Sequence, residues 1–173
     1  MPTYSSFLFI CVANALLLAV KGLSGEQDPT VECPFPYTNI GGRCLYFHVL
    51  RTDTWDNMEL ICVDFNGQLA KVDDANLLYD IVNSINESGF EITRFWIGGT
   101  DKATEGDWRW VDNTEVKMGT PFWGTSSTTV PQAQEPNGGI SQNCIGIDKD
   151  FLFLFHDFDC INQVSGGICE YVV

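Results

Sequence analysis

"TDTWDNMELICVDFNGQLAKVDDANLLYDIVNSI", residues 52–85, carries the two helical patterns of the chain, one on each side of a turn. In its first part Trp55, Met58, Cys62 and Phe65 fall at spacings of three and four, which places them on one face of a helix capped by Thr54 or Thr52. "NGQLAKV" (66–72) turns the chain, and the last part then sets Leu78, Ile81, Val82 and Ile85 on one face behind an aspartate cap. Upstream, "LYFHVL" (45–50) is aromatic and branched, as a strand requires. From "FWIGG" (95–99) onward the helical period vanishes. "WRWV" (108–111), "CIGI" (144–147), "FLFLF" (151–155) and "GICEYVV" (167–173) read as strands. A strand, two helices and then strands predict an α+β domain with the helices segregated from the sheet. Between Asp112 and Asn143 there is little regular pattern, and a loop of that length in a compact domain is usually functional or disordered.

The chain opens with an apolar run from Phe7 to Val20, too short to cross a bilayer comfortably and followed by Gly22, Ser24 and Gly25. Residues 1–25 are therefore expected to be a signal peptide, although no Lys or Arg precedes the run; 26–32 then form a short tail, and 33–173 the domain. The expected location is extracellular. Removing the leader removes Cys11 and leaves Cys33, Cys44, Cys62, Cys144, Cys160 and Cys169. An even set in an exported chain points to disulfides, and the close Cys-x-x-Cys pairs of a zinc site are absent. Fifteen pairings are open to six cysteines. Short-range closure favours Cys33 with Cys44 and Cys144 with Cys160, leaving Cys62 for Cys169, but sequence alone does not choose.

Acidic residues number 23 against 9 basic ones, and no Lys/Arg cluster occurs, which argues against nucleic acid or an anionic membrane as partner. Nor is insertion into a membrane expected. Most of this acidity serves solubility; some carboxylates are free to bind cations. "Asn86-Glu87-Ser88" is an N-glycosylation sequon. An enzyme is not expected. The only histidines are His48 and His156, and no phosphate loop or HExxH motif occurs. A triad drawn through His156 and Asp157 fails because neighbours on a strand point to opposite faces.

Chemistry concentrates at "EPN", Glu135-Pro136-Asn137, nine residues before Cys144. Calcium takes six to eight oxygens from carboxylates, amides and carbonyls. Glu135 and Asn137 face one ion only if the backbone between them is bent and held, which a cis bond at Pro136 would do. Asp157, in "FLFLFHDFDC" (151–160), is a further oxygen donor.

Taken with the rest of the chain, these residues resemble the C-type lectin-like domain in its long form. The resemblance runs from Cys33 to Val173. It is carried by Cys33 and Cys44, by Thr54-Trp55 before Cys62, by "GQLAKV" and "WIGGTDKATEGDWRWVD" (96–112), and by EPN, Cys144, Cys160 and Cys169. It implies two helices with small antiparallel sheets, a long loop region and the three disulfides that short-range closure favours. It further implies a calcium site in which Glu135 and Asn137 bind both the ion and sugar hydroxyls of mannose type, such ligand oxygens making charge-assisted bonds. Gln142 stands where the family has Glu, and Phe155-His156-Asp157 where it has Trp-Asn-Asp. The implied ligand set is thus Glu135, Asn137, Gln142, His156 and Asp157, with Glu135, Asn137, His156 and Asp157 touching sugar. Imidazole is a poor partner for a hard cation, so the site is expected to be weakened. His156 is alternatively an exposed strand-end residue; as a ligand, its protonation near pH ~6.5 would lower sugar binding. A second calcium would use Asp101 and Glu105, but Gly138, Gln142 and Asn143 occupy its other acidic positions. The link from Trp123 to Glu135 is longer than usual for the family. Trp96, Trp108 and Trp110 are expected in the core; Phe122 and Trp123, nearer the loop, have sugar stacking as a second option. The implied function is a secreted, calcium-dependent lectin for mannose-type glycans of microbial surfaces, resembling invertebrate immune lectins, with self-association needed for agglutination. The competing expectation is a calcium-independent lectin-like domain that binds a protein or another surface.

Overall fold

The computed structural model describes residues 32–125 and 133–172. The expected leader (1–25) and almost all of the tail (26–32) lie outside the described residues. Eight strands pair into one sheet: β1 (Thr38–Ile40), β2 (Arg43–Asp53), β3 (Gly67–Leu69), β4 (Arg94–Thr100), β5 (Arg109–Trp110), β6 (Cys144–Asp148), β7 (Phe155–Phe158) and β8 (Ser165–Tyr171). The order is β1-β2-β8-β4-β6-β7, with β3 beside β8 and β5 beside β4. Every ladder is antiparallel except β4 with β8, so a single parallel pairing joins what would otherwise be two antiparallel sheets.

Helix α1 (Trp55–Asp64) buries Trp55, Met58 and Cys62, the face expected from their spacing. Phe65 falls just past its end and is half-buried. Thr54 occupies the capping position, but its side chain makes no capping bond. Asp53 accepts from Thr54 N at 2.9 Å and from Asn57 Nδ2 at 2.7 Å, which braces the start of the helix without capping its backbone amides. Helix α2 (Ala75–Ser88) is capped by Asp74, which accepts from the backbone of Asn76 and Leu77, and it ends at Gly89 in the left-handed region. Two orphan amides are thereby satisfied at one end, and a residue without a Cβ closes the other. Leu77, Leu78, Ile81 and Ile85 are its buried face; Val82 lies at the edge. Asn86 is exposed on the last turn of α2, where a glycan would meet no core.

One core lies under α2 and the long loop, built on Leu45, Ile81, Phe95, Ile97, Trp108, Trp110, Trp123 and Phe155. Another surrounds α1 with Trp55, Met58, Trp96, Phe158 and the bridge Cys62–Cys169. Phe122 and Trp123 are both buried against Phe155, so neither presents a ring to ligand. The other bridges are Cys33–Cys44 and Cys144–Cys160.

One strand is shorter than its sequence suggests. A turn of 3-10 helix, Lys149–Phe151, runs into the start of "FLFLF", and Leu152 and Phe153 have positive φ. Asp148 starts that turn by accepting from Asp150 N, and pairing begins only at Phe155. The apolar run is therefore a turn that leaves Leu152 exposed, followed by a strand. Between Asp112 and Asn143 the described residues hold a 3-10 turn at Gly139–Ser141 and isolated bridges, among them Trp123 to Phe155 and Thr125 to Gln134.

Candidate functional site

Strand β7 ends the sheet path, and the segment Glu135–Gly138 folds over it. The Glu135–Pro136 bond is cis, as are Phe35–Pro36 and Thr120–Pro121. Glu135 N donates to Gly124 O at 3.0 Å, and Gly124 N donates to Phe155 O at 3.0 Å, which ties the loop to the strand. Asp157 accepts from Asn137 N at 3.1 Å and from Gly138 N at 2.7 Å. On the other side, His156 Nδ1 lies 3.1 Å from Glu135 Oε1. The loop thus touches both neighbours on β7, and His156 and Asp157 line one cavity in spite of strand alternation.

That cavity measures about 260 Å³ and is lined by Glu135, Asn137, Gln142, His156 and Asp157, together with Arg94, Phe151, Phe158 and Gln163. All five residues of the implied calcium set are in it. Asp101 and Glu105 are not. Arg94, Phe151 and Gln163 had no motif to mark them; they arrive from β4 and from the segments flanking β7. Glu135, His156 and Asp157 are each at most 6% exposed, whereas Asn137 is exposed.

His156 is not an exposed strand-end residue. Its ring stacks on Phe151 with centroids 4.2 Å apart, and a Cβ on Gly124 would come within 2.4 Å of its Nε2. Only glycine at 124 leaves room for that ring. Burial pushes the His156 pKa down, against the upward pull of Asp157 and Asp148. The imidazole faces Glu135 through Nδ1, and as a nitrogen donor it suits a hard cation less well than the oxygens around it. The remaining donors are all oxygens: two carboxylates and the amides of Asn137 and Gln142. Gly138 makes the position of Gln142 possible, because a Cβ there would sit 1.9 Å from Gln142 Oε1.

These residues fit a hard cation on electrostatic grounds. Burial and the adjacent Asp157 push the Glu135 carboxyl up to about 8. Two carboxylates sharing a low-dielectric cavity resist being ionised together, and a divalent cation removes that conflict. Among the described residues no three His, Cys, Asp or Glu side chains are grouped to hold a metal. An ion here would therefore need the amide oxygens as well. When bound, calcium would supply Lewis acidity and open coordination positions for hydroxyls.

Asp101 stands apart, at the end of β4. It is 3% exposed; Oδ2 accepts from Gly106 N at 2.8 Å, and Oδ1 has no hydrogen-bond partner. Asn143 Oδ1 is also buried without one, and Asp101 N donates to Asn143 O. Burial raises the Asp101 carboxyl, and Glu105 and Asp157 add to the effect. Orphaned buried oxygens next to acidic neighbours are what a second cation would satisfy.

A fold of this topology with three disulfides and a polar cavity at an edge strand defines a lectin-like domain. The sequence model "Lectin C-type domain" matches residues 51–171, and the chain belongs to that family. It is 32% identical over 114 residues to "Galactose-specific lectin nattectin" of Thalassophryne nattereri, covering 66% of this chain and 68% of that one. It is 27% identical to "C-type lectin domain family 17, member A" of Homo sapiens, but spans only 32% of that protein's length. Among solved structures, a calcium-independent type II antifreeze protein superposes with a TM-score of 0.62 at 25% identity, covering 82% of this chain and 95% of the other.

Proposed function

We propose that the protein is a calcium-dependent lectin for mannose-type glycans. The observation that carries this reading is the gathering of Glu135, Asn137, Gln142 and Asp157 in one cavity, with Glu135 raised by burial and by its acidic neighbour. Glu135 and Asn137 would each share their polar groups between the ion and a sugar hydroxyl. The order carboxylate–proline–amide supports vicinal equatorial hydroxyls, although the relative from Thalassophryne is named for galactose. Charge-assisted bonds of this kind are strong individually. A single shallow sugar gains little, so avidity on a repetitive microbial surface would do the rest, through self-association of the protein. The apolar leader and the three disulfides support secretion; among the described residues no helix is long and apolar enough to cross a membrane. The test is retention on mannose-agarose: bound in millimolar calcium, released by EDTA, and absent for Glu135→Gln.

A calcium-independent reading has its own support. Asp157 is already engaged by two backbone amides and Glu135 by His156, and one structural neighbour is named as calcium-independent. In that case retention would be the same in calcium and in EDTA, or missing from both.

A further inference from the structure

The cavity holding Glu135, Asn137 and Asp157 has a second wall that calcium would not use. Arg94, the first residue of β4, stands in it. Asp148, whose side chain is 4% exposed, accepts from Arg94 Nε at 2.6 Å, and the Phe158 ring lies 4.1 Å from the guanidinium. Nη1 and Nη2 donate to no described residue, and the side chain is 27% exposed. The fork is thus fixed on one edge and wet on the other. In the same wall, Gln163 Oε1 is buried with no hydrogen-bond partner among the described residues.

Arg94 also lines a neighbouring cavity of about 340 Å³, together with Thr52, Glu91, Asp148 and Asp150. It is the only Arg or Lys in either lining, and Asp148 already balances its charge. Glu91 and Asp150 therefore leave the second cavity negative. An anionic sugar would be repelled there, whereas neutral hydroxyls would donate to the carboxylates and accept from the guanidinium fork. A planar fork with its Nη1 and Nη2 N–H groups open recognises oxygen pairs that an ammonium cannot.

We propose that Arg94 joins the two cavities into one groove for a neutral oligosaccharide. One sugar sits at the Glu135–Asn137 end, and the next crosses Arg94 toward Thr52 and Asp150. This rests on the reading of the first cavity as a calcium-dependent sugar site. The experiment is titration calorimetry in calcium with methyl mannoside, a mannose disaccharide, and a disaccharide in which the second sugar is a uronate. The parent protein is expected to bind the neutral disaccharide roughly tenfold more tightly than the monosaccharide, and the uronate no better than the monosaccharide. Arg94→Lys keeps the charge beside Asp148 but loses the fork; it is expected to remove most of that advantage, read as the ratio of disaccharide to monosaccharide affinity within the variant. Equal affinity of the parent for monosaccharide and neutral disaccharide overturns the proposal without need of any variant. So does an advantage that survives Arg94→Lys, or a preference for the uronate. If the parent binds none of the three in calcium, the reading of the first cavity fails and takes this one with it.

Discussion

At the scale of single residues, Glu135 decides most. Its carboxyl, raised to about 8, is ionised at alkaline pH only at a cost to the folded state. The sign follows: a carboxyl whose folded value lies above its unfolded one lowers stability as pH climbs between the two. In EDTA, Glu135→Gln should therefore melt above the parent at pH 8 and level with it near pH 4.5, while losing the stabilisation that calcium gives the parent. Melting curves with and without metal check this. Asp112 runs the other way. Partial burial pushes it up, but the Thr114 hydroxyl and Lys71 hold it at about 2. Its contribution is present above its ordinary value and fades as pH falls from ~4 toward 2, so Asp112→Asn should flatten the acid limb of a stability–pH profile over that window. Gly138→Ala would drive a methyl into Gln142 and is expected to weaken calcium uptake at least severalfold, read by calorimetry.

At the scale of elements, α2 contributes no residue to either of the two cavities proposed for sugar. Ile81 is fully buried in the core beneath it, so Ile81→Ala should cost about 2–5 kcal/mol in chemical denaturation and leave calcium affinity unchanged. Both helices were legible because their apolar spacings survive into the folded faces. Where the sequence misled, local hydrogen bonds beat the apolar pattern. "FLFLF" promised five residues of strand, yet Asp148 closes a turn, and Leu152 and Phe153 take positive φ. At α1 the expected threonine holds the capping position without a side-chain cap bond, and the carboxylate of Asp53, one residue earlier, ties Thr54 N to the Asn57 side chain. EPN and His-Asp could be read as site residues because they lie in short motifs. Arg94 and Gln163 could not, since only tertiary pairing brings them to that cavity.

At the scale of the whole molecule, the bridge Cys62–Cys169 spans 107 residues and fastens α1 to β8, which in turn carries the parallel ladder with β4. Replacing both cysteines with alanine should lower stability by about 2–5 kcal/mol, the usual loss when a native bridge is removed from a small secreted domain. The cavity over β7 hangs from β4 and β6 through that frame, so the loss would loosen the site as well. The proposed function depends on one cation shared by Glu135, Asn137, Gln142 and Asp157. The most direct measurement is isothermal titration of the metal-free protein with calcium, beside Glu135→Gln. Saturable uptake is expected of the parent and should be lost in the variant. No heat from the parent at millimolar calcium, or equal uptake by the two proteins, would contradict it.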